Sequence, residues 1–199
     1  MPRPRVHDDE LRTRLLAQAG RTAHSDGIAS LSLRSLAGQV GTSTSAVYSL
    51  FGGKAELLGA LYGEAFAQFG AAQRSVPVTG DLGADLKALG RGYWTWATAH
   101  PDLYPMLFSG VLGDVEPSPA QAAAAAATIE PLARLVQSGV DSGRMVGDPG
   151  AITFAIWAAV HGAVSLVLAH CAPDDEQTRS DWFDATAGAV IAGWLASGR

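Results

Sequence analysis

Apolar positions recur every three or four residues through most of this chain, and the alternating or β-branched runs that predict strands are scarce. Leu11, Leu15, Ala19 and Ala23 form the inward stripe of a first helix. Asp8 or Asp9 starts it, since acids favour a first turn, and Gly27 stops it. The stretch 32–54, SLRSLAGQVGTSTSAVYSLFGGK, then predicts two short helices joined by a tight turn. Ser32 caps the first, whose apolar positions are Leu33, Leu36, Ala37 and Val40. Gly41 supplies the left-handed or close-approach backbone that such a corner needs. Ser43 caps the second, Thr44 to Leu50, which turns Val47 and Phe51 inward and leaves Thr44, Ser45, Ala46, Tyr48 and Ser49 on its exposed face.

From Lys54 a fourth helix carries a two-row apolar face, Leu57, Leu58, Leu61, Tyr62, Ala65, Phe66 and Phe69. SVPVTGD (75–81), with Pro77 and Gly80, reads as a linker. Leu82, Leu86, Leu89, Tyr93, Trp96 and His100 alternate in steps of four and three, one continuous face of a fifth helix. His100-Pro101 ends it, because a residue before proline disfavours the helical region. Asp102 to Ser109 predicts a short helix or broken turn interrupted by Pro105, and 113–119 a loop. Pro119 opens a helix that runs through an alanine run to about Ser142. After a turn at Gly143, Gly147, Asp148 and Pro149, two more helices are expected, about Pro149 to His170 and Gln177 to Ala196. The expected fold class is all-α, about nine helices.

Charge divides unevenly along this pattern. Residues 1–55 hold seven Arg or Lys against four acids, a balance of +3, which leaves -8 for the remainder of a chain whose net charge is -5. A weakly basic head on an acidic body suits contact with nucleic acid at one end and argues against sequence-blind coating of it. Small hydroxyl side chains at a helix N-terminus allow close approach to base edges and phosphates. Arg3 and Arg5 offer either an arm toward DNA or a loose tail.

Other chemistry is thin. The lone Cys171 excludes an internal disulfide framework and a cysteine-based zinc site. No metal or cofactor is expected, because the spacing of His100, Asp102, His161 and His170 does not demand a metal. No Ser-His-Asp ordering, paired-carboxylate cluster or phosphate-binding glycine loop suggests an enzyme. The N-terminus lacks the apolar core of a signal peptide. Residues 150–169 contain no Asp, Glu, Lys or Arg and are long enough to span a bilayer, yet they include His161, Thr153 and Ser165 and lack basic anchors. A helix buried on two sides of a protein that stays off the membrane explains the stretch better.

Residues 8 to about 70 resemble the DNA-binding domain of the TetR family of transcriptional regulators, through Gly41, Ser43, Tyr48, Phe51 and Lys54 in their order and spacing. The remainder resembles the family's ligand-binding domains in architecture. It is closest to a branch with an HPxLY-like segment, here HPDLY at 100–104, and a W-x-x-x-H-G element, here Trp157, His161 and Gly162. The resemblance implies an N-terminal three-helix helix-turn-helix domain, 1–54, and a C-terminal ligand-binding and dimerisation domain, 55–199, with helix 4 connecting them. It assigns groove contacts to Thr44, Ser45 and Ala46, and phosphate contacts to Ser32, Ser43, Tyr48 and Lys54, with Ser49 and Arg34 beside them. The family often carries Lys or Arg where Thr44 stands, so the operator's identity is not implied.

In the body, Tyr93, Trp96, His100, Met106, Phe108, Trp157 and His161 are the candidates to line an effector cavity, an apolar space with a few placed polar groups. Trp157 and Val164 on helix 8, with Trp182, Phe183, Thr186, Ala189, Val190, Gly193 and Trp194 on helix 9, are the expected homodimer contact. Taken together, the resemblance implies a cytoplasmic homodimer that acts as a repressor. A small apolar or aromatic molecule would release it from a near-palindromic double-stranded operator. Two alternatives stay open at this point, a DNA-binding regulator without a small-molecule effector and an all-α enzyme.

Overall fold

Each helix starts and stops where local chemistry requires it. In the computed structural model, which describes residues 5–108 and 118–196, the order is α1 (Arg5–Asp26), a single 3-10 turn (Ile28–Ser30), α2 (Leu33–Val40), α3 (Thr44–Phe51), α4 (Lys54–Arg74), α5 (Leu82–Ala99), α6 (Tyr104–Phe108), α7 (Pro119–Asp141), α8 (Pro149–Leu168) and α9 (Glu176–Trp194). Asp148 and Asp175 cap α8 and α9 by accepting from the Ala151 and Thr178 N–H groups, at 2.8 and 2.7 Å. The expected all-α class holds. α1 begins three residues ahead of Asp8, since no Pro or Gly between Arg5 and Asp8 stops the helix from extending backward. Arg3, the Arg5 side chain and most of the loop expected at 113–119 lie outside the described residues.

The described residues divide into two compact units, the first holding 5–68, 100–108 and 118–125, the second 69–99 and 126–196. In the first unit α1, α2 and α3 pack on one another around Leu15, Leu36, Val47, Leu57 and Leu61, each at most 1% exposed. Every such side chain contributes roughly 1.5–3 kcal/mol by leaving water. The head's core therefore includes the first half of α4. It also includes Met106 of α6, 4% exposed, with Leu103 packed beside it.

The second unit packs α5, α8 and α9 on one another. Its core joins Leu82, Leu86, Leu89, Leu132, Val136, Met145, Ile152, Ile156 and Ile191. Gly139 on α7 permits a close approach in it, because a Cβ there would sit 2.7 Å from Leu82 and 2.9 Å from Met145. A backbone tie closes the chain end. The Val146 N–H donates to the Trp194 carbonyl at 3.1 Å and the Ala196 N–H to that of Arg144 at 2.8 Å, forming an isolated antiparallel bridge between Met145 and Leu195. In the linker, Asp85 accepts from the N–H and hydroxyl of Thr79 and from the Gly80 N–H, at 2.8, 2.7 and 2.9 Å.

Of the two sides on which α8 is expected to be buried, its own domain and a partner, this chain supplies the first. Ile152, Ile156, Val160 and Val164 form a stripe one residue wide against the core of the chain's own second unit. Phe154 and Leu166 remain 64% and 57% exposed. By length and composition this helix could cross a membrane, with a mean hydropathy of 1.9 over a window of which 22% is buried within the chain.

Candidate nucleic-acid interface and effector site

The corner between α2 and α3 is fixed by backbone bonds at one end and a side-chain cap at the other. Gly41 sits at φ 74°, ψ 39°, the left-handed conformation that side chains with a Cβ rarely adopt. Its N–H donates to the Gly38 carbonyl at 3.2 Å, and the Thr42 N–H reaches back to that of Ala37 at 2.8 Å. This pair of bonds is the Schellman closure, which satisfies the carbonyls a helix end leaves free. Two residues on, the Ser43 hydroxyl accepts from the Ala46 N–H at 3.1 Å and starts α3. Ser32 does the same for α2 through the Ser35 N–H, at a longer 3.5 Å.

α3 buries Val47 and Phe51 and turns its other face outward. Ser45, Tyr48 and Ser49 are exposed, whereas Thr44 and Ala46 are half-buried, Ala46 packing against the head's core. Of the expected groove triplet, Ser45 therefore stands most open. Tyr48, 54% exposed, has its phenol in solvent rather than in the core. Arg34 and the two capping serines, Ser32 and Ser43, are exposed on the same run of chain.

Lys54, expected to meet a phosphate, is half-buried at the start of α4, and its ammonium donates to the Ala29 carbonyl at 3.3 Å. An ammonium has three donors, so this bond fixes the side chain's direction and leaves donors for an anion. Sequence reading missed the outer support of α3. Arg12 of α1 lies 5.5 Å over the Phe51 ring, and Gln18 donates to Gln39 of α2 at 3.1 Å. Arg12 had registered as charge alone, since its partner ring lies far along the sequence.

The body candidates fall in both units. Tyr93, Trp96, Trp157 and His161 belong to the second unit, and His100, Met106 and Phe108 to the first. In the second unit Phe69 meets the rings of Tyr93 and Trp96 at 4.9 and 5.0 Å between centroids. The Tyr93 hydroxyl lies 3.1 Å from His161 Nδ1, and Ser165 Oγ is 3.4 Å from Nε2. Burial lowers the His161 pKa below its ordinary value, which keeps the imidazole neutral and able both to donate and to accept. In the first unit His100 lines a cleft of about 260 Å3 with Arg12, Leu16, Leu61, Glu64 and Asp102. Met106 is a core residue of the head, and Phe108 meets Phe66 edge to face and Tyr104 at a tilt. Among the described residues no group of three or more His, Cys, Asp or Glu is placed to hold a metal ion.

The expected dimer set also separates. Val164 and Phe183, 0% and 2% exposed, are enclosed by their own unit and have no surface left to present, which corrects their assignment to the interface. Phe183 stacks 4.7 Å from Trp94, under the Arg91 guanidinium that pairs with Asp184. Trp157, Val190 and Trp194 pack partly on the core of the second unit, whereas Trp182, Thr186, Ala189 and Gly193 are exposed. The exposed Phe154 and Leu166 extend the apolar surface of α8 and were not singled out from sequence.

A short helix closed by a left-handed glycine, then a serine-capped helix with an open hydroxyl face, is the helix-turn-helix of a DNA-binding regulator. Residues 15–61 match the family of bacterial regulatory proteins of the tetR type, and residues 86–190 match a tetracyclin repressor-like C-terminal domain. The chain belongs to the TetR family and is a DNA-binding transcription regulator. Solved structures share its architecture. A Rhodococcus sp. RHA1 protein of unknown function is 26% identical, with a TM-score of 0.80 over 94% of this chain and 96% of that one. A TetR family regulator from Marinobacter aquaeolei VT8 is 18% identical, with a TM-score of 0.79 over 98% and 100%. The fatty acid degradation regulator FadR from Bacillus halodurans is 16% identical, with a TM-score of 0.77 over 92% and 95%. No curated protein matches the chain.

Proposed function

We propose that this regulator is a cytoplasmic homodimeric repressor, released from a near-palindromic operator by a small apolar or aromatic molecule. The reading gives residues 1–54 to DNA binding and 55–199 to ligand binding and dimerisation. Ser45, with Thr44 and Ala46 behind it, reads the groove. Tyr48, Ser32, Ser43, Ser49, Arg34 and Lys54 hold the phosphates. The observation that carries this half of the reading is the exposed phenol of Tyr48 beside the open hydroxyl face of α3. In the body, Tyr93, Trp96, Trp157 and His161 bind the effector, the neutral His161 and the Tyr93 hydroxyl supplying polar contacts among aromatic rings. Dimerisation is supported by the exposed apolar side chains Phe154, Leu166 and Trp182, a large uncovered area for one subunit. Two subunits place two α3 helices one DNA turn apart, and an effector that prefers another spacing weakens binding.

Selection of bound fragments from random DNA, followed by titration of the winning duplex at several salt concentrations, tests the proposal. The expected product is a two-fold sequence whose affinity falls steeply with salt. Candidate small molecules are then scored by their ability to dissociate the complex. Recovery of an asymmetric site, or a complex that no cavity-filling molecule disturbs, contradicts the dimeric or the effector half respectively.

A further inference from the structure

A cavity of about 500 Å3 opens in the second unit between the C-terminal end of α4, the 75–81 linker, the first half of α5, and α7. It shares no residue with the aromatic set around His161. Its volume lies within the range of small-molecule sites. Val76, Pro77, Leu89 and Leu135 make one part of its wall apolar, while Gln73, Arg74 and Arg134 line it with donors.

Gln73 is the informative residue. It is 5% exposed, and its amide Nε2 has no hydrogen-bond partner. Buried polar side chains are nearly always paired, so an orphaned amide in a cavity wall calls for an acceptor. Nε2 lies 4.0 Å from where a Cβ on Gly92 would stand. The last torsion of a glutamine is broad and two-fold, so the amide of this lining residue can turn to present its nitrogen to a guest.

The charges in and beside the wall select the sign of the guest. Asp85, the one carboxylate among the lining residues, is already occupied by the three donors of Thr79 and Gly80. Arg134 meets Glu130 at a loose 3.7 Å with both side chains more than half exposed, and Arg74 makes no ion pair among the described residues. Donors are thus in excess.

We infer that this cavity binds a small organic anion with an apolar body, a second ligand site separate from the aromatic one. Its carboxylate is met by Arg74, Arg134 and the turned Gln73 amide, and its hydrocarbon lies on Val76, Leu89 and Leu135. Calorimetric titration of the full chain with 4-phenylbutanoate, and with the neutral 4-phenylbutanamide as control, tests this. The acid is expected to bind, and the amide at least about tenfold more weakly, because a charged acceptor doubles the strength of such bonds. Gln73→Leu and the double variant Arg74→Ala/Arg134→Ala are each expected to weaken the acid by about tenfold or more. The Tm of unliganded Gln73→Leu is expected to be unchanged or raised, since an orphan donor is removed. Equal binding of acid and amide, no binding at millimolar concentration, or a loss caused by His161→Ala and not by Gln73→Leu would overturn the inference. No DNA enters the assay, so its failure leaves the regulator reading untouched.

Discussion

Tyr48 and Asp85 show how differently two polar side chains serve the same chain. Tyr48 is 54% exposed and makes little of the core. Tyr48→Ala should therefore change folding stability by no more than about 0.5 kcal/mol. On the proposed reading its hydroxyl donates to a phosphate, a bond of roughly 1.5–3 kcal/mol to a charged acceptor. Tyr48→Phe should then weaken operator binding by roughly ten- to a hundredfold. Fluorescence anisotropy with the selected duplex measures it, and an unaltered affinity would remove Tyr48 from the interface. Asp85 does the reverse, fastening the linker to α5. Hydrogen bonds from the Thr79 backbone, then its hydroxyl, hold the carboxyl below its ordinary pKa despite the opposing effect of burial. A carboxyl depressed in the folded state adds stability above its unfolded pKa of about 3.9 and loses it as pH falls through the lower folded value. Wild type should thus exceed Asp85→Asn in urea resistance at pH 7, and the gap should narrow steadily below about pH 4. A gap that does not vary with pH would mean that shape, not charge, matters at this position. The caps and the corner glycine were legible from residue type alone, because Ser32, Gly41 and Ser43 act on their own neighbours. Asp85 was not, since an acid in a first helical turn is commonplace and its three partners are set by the path of the linker.

At the scale of elements, periodicity located the long helices to within a few residues, because their apolar stripes are dictated by burial. It was silent on the bridge between Met145 and Leu195, which uses backbone groups that every sequence possesses. For α8 an all-round apolar surface implies burial on two sides, against its own domain and a partner, and the chain itself covers the stripe of Ile152, Ile156, Val160 and Val164. On the proposed reading the rest of its surface is completed by a second copy. Leu166 is 57% exposed in the subunit, so Leu166→Glu should leave folding within about 0.5 kcal/mol of wild type. Placed in an apolar dimer contact, the same carboxylate should shift the monomer–dimer midpoint upward by at least about tenfold in concentration, roughly 1.4 kcal/mol. Analytical ultracentrifugation across a dilution series measures it. An undisturbed dimer would move the contact away from this part of α8.

For the whole molecule the decisive residue is Met106. Sequence pattern marked it as apolar and aromatic-flanked, which fits a ligand cavity as well as a core, and no local signal says which core an apolar side chain joins. It belongs to the core of the first unit, yet it follows α5, a helix of the second unit, after a turn of a few residues. The DNA-binding head is thus completed by a segment that the chain delivers after the first helix of the body. All five tryptophans, at 94, 96, 157, 182 and 194, lie in the second unit, so their fluorescence reports on that unit while helical circular dichroism reports on both. Met106→Ala removes a side chain that is 4% exposed and should cost the first unit about 2–5 kcal/mol, whereas the volume-conserving Met106→Leu should cost less than about 1.5 kcal/mol. In urea, Met106→Ala should lose part of its circular dichroism ahead of the tryptophan transition, since non-coincident probes are the mark of units that melt apart. If both signals move together to lower urea, the two units melt as one cooperative block.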